Sequence, residues 1–438
     1  MKHEHELDRM LPLVHEMIIV RCSDEEIIEA FQGYRVAVIA NEENLSSHSG
    51  QVALVTLVSL IARLGVQVDI RIPEIELCGA QPPLEGCYLR KGLLDLGGDL
   101  IPGLSIAAWE GGPTEAAFVL GNSLPPALDC LTWRLSGTAW RGSIQPLEAT
   151  ATAWTESWPI GALCAGGLAA VEVFKAVVRQ LQLRQSAPYW KEFVDPCRRA
   201  SWDFGKGLPT PQYLDMGHLD MVSAGAIAQA FYFVLMRLPH VRHQSRIFEN
   251  DTTANTNLNR NLLSRYRHIG MHKIDVIRTY DLEKVSDVYE RLTKANINDF
   301  QLAASVLVGA DDIPTRWLVQ DHSPKWLGVA GTSHFGALTS SHRPGEPCAG
   351  CLHVYDDEAV IPVLPTASVF SFWAGLALAV RLLRKEMGMP YPQDKQALWL
   401  VPLRMDYSST GFWSAVRSRP DCPVQCRASQ GVLMHNRG

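Results

Sequence analysis

The sequence has no surplus of positive charge: its 40 lysines and arginines are outnumbered by 46 aspartates and glutamates, for a net charge of −6. A nucleic-acid surface needs a basic stripe to neutralise phosphates, so that class is set aside. An unbroken apolar run at the amino terminus is also lacking. The opening MKHEHELDRMLPLVHEMIIV is interrupted by acids and histidines and does not fit a secretory signal. There is no low-complexity tract. One uncharged stretch, Ala359–Val380, is long enough to cross a bilayer. Pro362 and Pro365 near its start make it a loop running into a buried helix instead, and no membrane partner is expected.

What is present is a 438-residue chain, 47% hydrophobic and 20% charged, the balance of a well-packed globule. That length exceeds one ordinary core and fits two domains of about 200 residues each. Ten cysteines without a secretory signal point to a reducing, cytoplasmic setting, where close pairs signal metal or redox chemistry before disulfides.

The chain reads as two diverged copies of one α/β unit. In the first half, Arg35–Ala40 is a short apolar strand, Gln51–Leu64 a helix and Val66–Ile72 a second strand. In the second half, Leu219–Ser223, Ala226–Arg237 and the strand end Arg246–Glu249 repeat that order, the opening of a doubly wound sheet. Pro159–Leu181 and Val363–Lys385 are a second correspondence, each passing from a proline turn into a helix rich in small residues. Between the copies, Arg184–Met216 is irregular, with Pro188, Pro196, Pro209 and Pro211 and the aromatics Tyr189, Trp190, Phe193 and Trp202. This reads as a linker packed on a domain surface.

The densest chemistry lies in Glu249–Lys273. A strand ends in Glu249 and Asp251, an amide-rich turn carries Asn255, Asn257, Asn259 and Arg260, and Lys273 follows. Acids at a strand's carboxyl end suit ribose hydroxyls, and arginine with lysine suits a triphosphate. Taken singly, each of these residues is better explained by a capped loop and a solvated basic helix. Upstream, Ser223-Ala224-Gly225-Ala226-Ile227-Ala228 makes a small-residue strand–helix corner in which only Gly225 is glycine. Downstream, an apolar strand delivers Asp311 and Asp312, with Arg316 beyond, a placement suited to magnesium on phosphates. Two close cysteine pairs, Cys348/Cys351 and Cys422/Cys426, are what a tetrahedral thiolate zinc site needs.

In this order, the motifs resemble the ThiF, MoeB and ubiquitin-activating-enzyme superfamily of adenylyltransferases. The matching residues are Glu249-Asn250-Asp251, Thr256-Asn257-Leu258-Asn259-Arg260 and Gly270-Met271-His272-Lys273. The resemblance implies ATP, Mg2+ and Zn2+ as cofactors. It implies Glu249 on the ribose, Asn257, Arg260 and Lys273 on the phosphates, Asp311 on magnesium and the four cysteines on structural zinc. Departures are Glu249 for the commoner Asp, Thr256 for Ser, Asn261 for Gln, Asp312 for Asn, and Ser223 and Ala228 at glycine positions.

The first half lacks these motifs. By resemblance, residues 1–200 would be an inactive adenylation-like domain and 201–438 the active one, two Rossmann-like units in an intrachain pseudo-dimer, with further homo-oligomerisation left open. The expected reaction is ATP-dependent activation of the C-terminal glycine of a ubiquitin-like protein. The product would go to a conjugating enzyme or a sulfur or acyl acceptor. Leu352–Asp421 contains no cysteine, so thioester capture lacks its usual residue. Cys197, beside Arg198 and Arg199, is the best placed remaining thiol, Cys164 reads as core, and Thr366 offers a hydroxyl. Two alternatives stand beside this. One is a zinc-braced scaffold binding a ubiquitin-like partner without using ATP. The other is a nicotinamide-dependent dehydrogenase, which explains Glu249 but not Asn257, Arg260, Lys273 or the cysteines.

Overall fold

The computed structural model describes residues 5–18, 22–184, 191–355, 364–405 and 411–426. The first half opens with α1 (Leu11–Met17), α2 (Asp24–Gln32), β1 (Arg35–Ile39), α3 (Glu42–Leu45), α4 (His48–Ala62) and β2 (Gln67–Arg71). It continues with α5 (Leu89–Leu100), β3 (Ile106–Ala108), β4 (Ala116–Leu120), β5 (Leu131–Gly137) and β6 (Arg141–Pro146). The long α6 (Ile160–Arg184), the short α7 (Lys191–Val194) and β7 (Ala200–Asp203) complete it.

The second half starts with β8 (Leu214–Val222), α8 (Ala226–Leu235), β9 (Val241–Phe248), α9 (Lys273–Arg278), β10 (Val285–Val288) and β11 (Ser305–Val308). Then come α10 (Ile313–Asp321), β12 (Trp326–Ser333), β13 (Gly336–His342), α11 (Ala349–Leu352) and α12 (Ser368–Glu386). It closes with β14 (Ala397–Leu400) and β15 (Gly411–Ser414).

Two mixed sheets result, ordered β3-β2-β1-β4-β5-β6-β7 and β10-β9-β8-β11-β12-β13-β14-β15. In each, the first five strands run parallel and the remainder extend antiparallel from the fifth. The shared order supports the duplication read from the sequence: β8, β9 and β11 occupy in the second sheet the places of β1, β2 and β4. The central strands β4 and β11 are buried along their whole lengths, as parallel strands covered on both faces must be.

The small residues of α6 and α12 have a packing reason. A Cβ on Gly166 of α6 would meet Thr56 of α4 at 2.9 Å, and one on Gly375 of α12 would meet Ala230 of α8 at 2.5 Å. Each copy thus brings its late helix into backbone-close contact with the helix that follows its first strand. Gly167 leaves room across the halves, where a Cβ would meet the Phe372 ring of α12 at 2.6 Å. One apolar core runs from Leu7 through both halves to Met405.

Length and composition would let α6 cross a membrane, yet it is buried within the protein. The uncharged Ala359–Val380 stretch ends inside α12, which is buried from Ser368 to Leu383, while Pro362 lies outside the described residues. The expected irregular linker needs correction, because Ala200–Asp203 becomes β7, pairs with β6 and ends the first sheet. Trp202 is buried there and Phe204 approaches Trp373 of the second half at 6.3 Å; Pro188, Tyr189 and Trp190 lie outside the described residues.

Candidate active site

The neighbouring strands β9, β8 and β11 end together, and the loops leaving them surround a cavity of about 320 Å³. A crevice beyond the carboxyl ends of parallel strands is where doubly wound sheets bind ligands. Gly225, Glu249, Asp251, Asn257, Arg260, Lys273 and Asp311 all line it. Val222, Ile227, Phe248 and Leu292 give it an apolar side.

The corner after β8 is tightly made. Ser223 adopts φ +89°, a left-handed conformation that glycine takes at no cost, and its Oγ accepts the Gly225 N–H at 3.0 Å. Glu249 is deeply engaged. One carboxylate oxygen accepts the Ala224 N–H at 3.1 Å and the Ser223 hydroxyl at 3.3 Å; the other accepts the N–H groups of Asn250 and Asp251 at 3.0 and 3.1 Å. Those four bonds fill a carboxylate's acceptor sites, so a sugar hydroxyl would take the place of the long Ser223 bond. Asp251 is exposed and pairs with Lys273 Nζ at 2.9 Å.

The turn after β9 is wholly buried from Asn257 to Arg265. Asn257 Oδ1 accepts the Ala254 N–H at 2.9 Å, closing a 3-10 turn. Arg260 donates to Thr256 O and, at 3.0 Å, to Asn259 Oδ1. Burial pulls Arg260 down to about 10, the neighbouring Arg9 adds to this, and Asp311 opposes it. The amide nitrogens of Asn259 and Asn261 are buried without a hydrogen-bond partner, and Asn261 lines the cavity. Orphaned donors beside a cluster of cations are what an anionic ligand would satisfy.

Asp312 is accounted for separately from Asp311. It caps α10, accepting the Thr315 N–H at 2.9 Å and the Thr315 hydroxyl, and Arg291 reaches it at 3.3 Å. Asp311 remains exposed at the cavity wall. Arg316 is turned away from the cavity. Its guanidinium donates twice to Ala310 O, at 3.1 and 2.9 Å, and lies 3.0 Å from His353 Nδ1, so it fixes the backbone just before Asp311.

Arg9, like Arg291, is a lining cation that motif reading missed. It comes from the amino-terminal segment, where its side chain donates to Leu364 O at 3.2 Å and its carbonyl accepts the Thr366 N–H at 2.9 Å. Thr366 and Ser371 line the same wall. Cys197 is elsewhere, half-buried in the first half with Lys175 Nζ at 3.2 Å from its sulfur. Cys164 is buried in α6, and burial pushes its thiol up.

The four paired cysteines gather behind the antiparallel strands. Sulfur separations are 3.4 Å for Cys348–Cys422, 3.6 Å for Cys351–Cys426 and 3.8 Å for Cys348–Cys351, and all four Sγ atoms lie within 4.8 Å of one another. Four thiolates about 2.3 Å from a zinc ion stand about 3.8 Å apart along each tetrahedral edge, so the cluster fits that ion.

The matching crevice of the first half is filled by its own side chains. Asn44 is fully buried between the ends of β1 and β4. Its Nδ2, with two protons to give, lies 2.5 Å from Asn41 Oδ1, 2.8 Å from Asn122 Oδ1 and 3.0 Å from Ser123 Oγ, and its Oδ1 accepts the Trp154 N–H at 3.1 Å.

Comparison with known proteins gives three results. A curated relative, the uncharacterized protein y4jF of Sinorhizobium fredii, is 22% identical over 334 residues, 73% of this chain; the chain spans 60% of that relative's length. Among solved structures, E. coli MccB with selenomethionine MccA aligns over 47% of this chain and 66% of its own, at 16% identity and TM-score 0.40. The microcin C7 biosynthetic enzyme MccB in complex with N-formylated MccA aligns over 47% and 67%, at 17% identity and TM-score 0.39. Residues 35–187, which hold β1 to β6 and the long helix of the first half, match the family model of the BilD N-terminal domain.

Proposed function

We propose that the chain adenylates the C-terminal carboxylate of a protein or peptide at the expense of ATP, and that its substrate is a ubiquitin-like protein. One observation carries this reading: seven residues chosen from sequence motifs meet around a single cavity at the ends of three parallel strands. A carboxylate oxygen of the substrate attacks the α-phosphorus of ATP. The new P–O bond forms as the bond to the bridging oxygen of the β-phosphate breaks, and pyrophosphate leaves with that electron pair.

Arg260 and Lys273, with Asn257 and Asn261, would hold the phosphates, Glu249 the ribose, and Gly225 the close approach of backbone to nucleotide. Arg9 would add a cation from the first half. Asp311 would hold magnesium, which would supply charge neutralisation on the phosphates. Residues 1–200 would serve as the inactive partner of a pseudo-dimer and 201–438 as the active unit, a reading favoured by the repeated strand order and the filled first crevice. Cys348, Cys351, Cys422 and Cys426 would bind structural zinc. The chain's thiols do not line the cavity, which favours direct transfer of the acyl-adenylate to an acceptor such as a conjugating enzyme.

The test is exchange of labelled pyrophosphate into ATP by the full chain, supplied with candidate ubiquitin-like proteins and with peptides of their C-termini. Exchange should require magnesium, and Asp311→Ala and Arg260→Ala should each lower it by about a hundredfold or more, the usual cost of losing a charge at a developing anion. Absence of ATP binding by calorimetry would end this reading in favour of the zinc-braced scaffold.

A further inference from the structure

The loop carrying Asn257 and Arg260 is held from outside its own half. Arg63, the residue capping the carboxyl end of α4, is fully buried and reaches across to the second half. Its Nη1 donates to Leu258 O at 2.5 Å, and its Nη2 donates to Leu262 O at 2.9 Å and Ser264 O at 2.6 Å. The loop around these carbonyls is neither helix nor strand from Leu258 to Arg265 and is buried throughout, so its backbone oxygens need partners that a regular ladder would otherwise supply. A planar guanidinium with several fixed donors can satisfy three carbonyls at once; an ammonium cannot hold the same fan. The loop is fastened a second time by Gln229 of α8, whose Oε1 accepts the Leu263 N–H and the Ser264 hydroxyl, each at 3.1 Å. Arg260, which lines the cavity, falls in the chain between Leu258 and Leu262, the first two carbonyls that Arg63 holds.

We infer that Arg63 is a positioning residue for nucleotide binding, a first-half side chain that shapes the phosphate-facing loop of the second half without itself touching the ligand. The inference rests on the cavity's reading as an ATP site. Burial of this cation, which pulls Arg63 down to about 9, is tolerated because all three acceptors are carbonyls pointed at it.

The experiment compares Mg-ATP binding by calorimetry in the full-length wild type, Arg63→Lys and Arg63→Ala, with melting temperatures recorded for each. Arg63→Ala should bind ATP at least about tenfold more weakly, a loss of about 1.4 kcal/mol. A few millimolar guanidinium should restore binding by occupying the vacated space, whereas ethylammonium should not. Arg63→Lys should fold and lose affinity by a smaller factor, with faster amide hydrogen exchange confined to the loop. If wild type binds ATP while both variants match it, the positioning role is overturned and the site stands. Weakened binding that guanidinium does not restore also overturns it. If Arg63→Ala does not fold, Arg63→Lys decides alone: unchanged affinity overturns the role, and weakened affinity with loop-confined exchange upholds it. Wild type without ATP affinity removes both readings.

Discussion

At the scale of single residues, His342 offers a test of how far burial controls charge. It is fully buried, with Nε2 2.8 Å from Ser340 Oγ and Nδ1 2.9 Å from Pro347 O. Burial holds it down to about 4, Arg381 nearby adds to this, and the Pro347 carbonyl opposes it. The folded protein therefore keeps the ring neutral where the unfolded chain, near 6.5, would take a proton. Stability from this group is complete above about 6.5 and falls as pH drops towards about 4, a loss of about 3 kcal/mol. Melting temperature should fall less steeply across that window in His342→Asn than in wild type; equal slopes would contradict the assignment. The residues of the candidate site were legible where chemistry is contiguous: Glu249, Asp251, Asn257, Arg260 and Lys273 occupy one short stretch and travel into the cavity together. Arg9 and Arg63 were not. Each is an ordinary basic residue by its neighbours and gains its place only through contacts hundreds of positions away.

At the scale of elements, the strands were legible because buried parallel strands are short apolar runs, as in RVAVI of β1 and SVLV of β11. Strand β7 was not, since ASWD is brief and polar, and it pairs only because β6 offers it an edge. The glycines of the late helices were seen as small-residue enrichment; the structure supplies the cause in helix crossings too close for a Cβ. Gly375→Ala places its methyl 2.7 Å from the Phe231 amide nitrogen, which is backbone and yields little. A destabilisation of about 1–3 kcal/mol is expected, the usual cost of overpacking. Because α8 begins at the cavity, ATP affinity should weaken with it. Thermal melting and calorimetry on this one variant check both, and an unchanged melting temperature would show that the crossing can widen freely.

At the scale of the whole molecule, the two halves are joined by more than a shared core. His48 Nε2 lies 2.7 Å from Arg237 O, Arg237 donates to Pro82 O, and Arg265 pairs with Asp99 at 2.6 Å. The cysteine cluster has a different territory, tying the segment after β13 to the segment after β15. Purified protein should carry about one zinc ion per chain, and removing it with a strong chelator should lower the melting temperature and loosen β14 and β15 first. Amide exchange resolved by segment would show this; metal-free protein with an unaltered melting curve would argue against a structural ion.

The packed asparagine cluster at the tips of β1 and β4 has a consequence for stoichiometry. A symmetric pair of such frames would offer two equivalent receptors and room for communication between them. Here the duplicate receptor is occupied by the chain itself, so nucleotide titration should follow a simple hyperbola that saturates at one equivalent per polypeptide, with no cooperativity to be found within the chain.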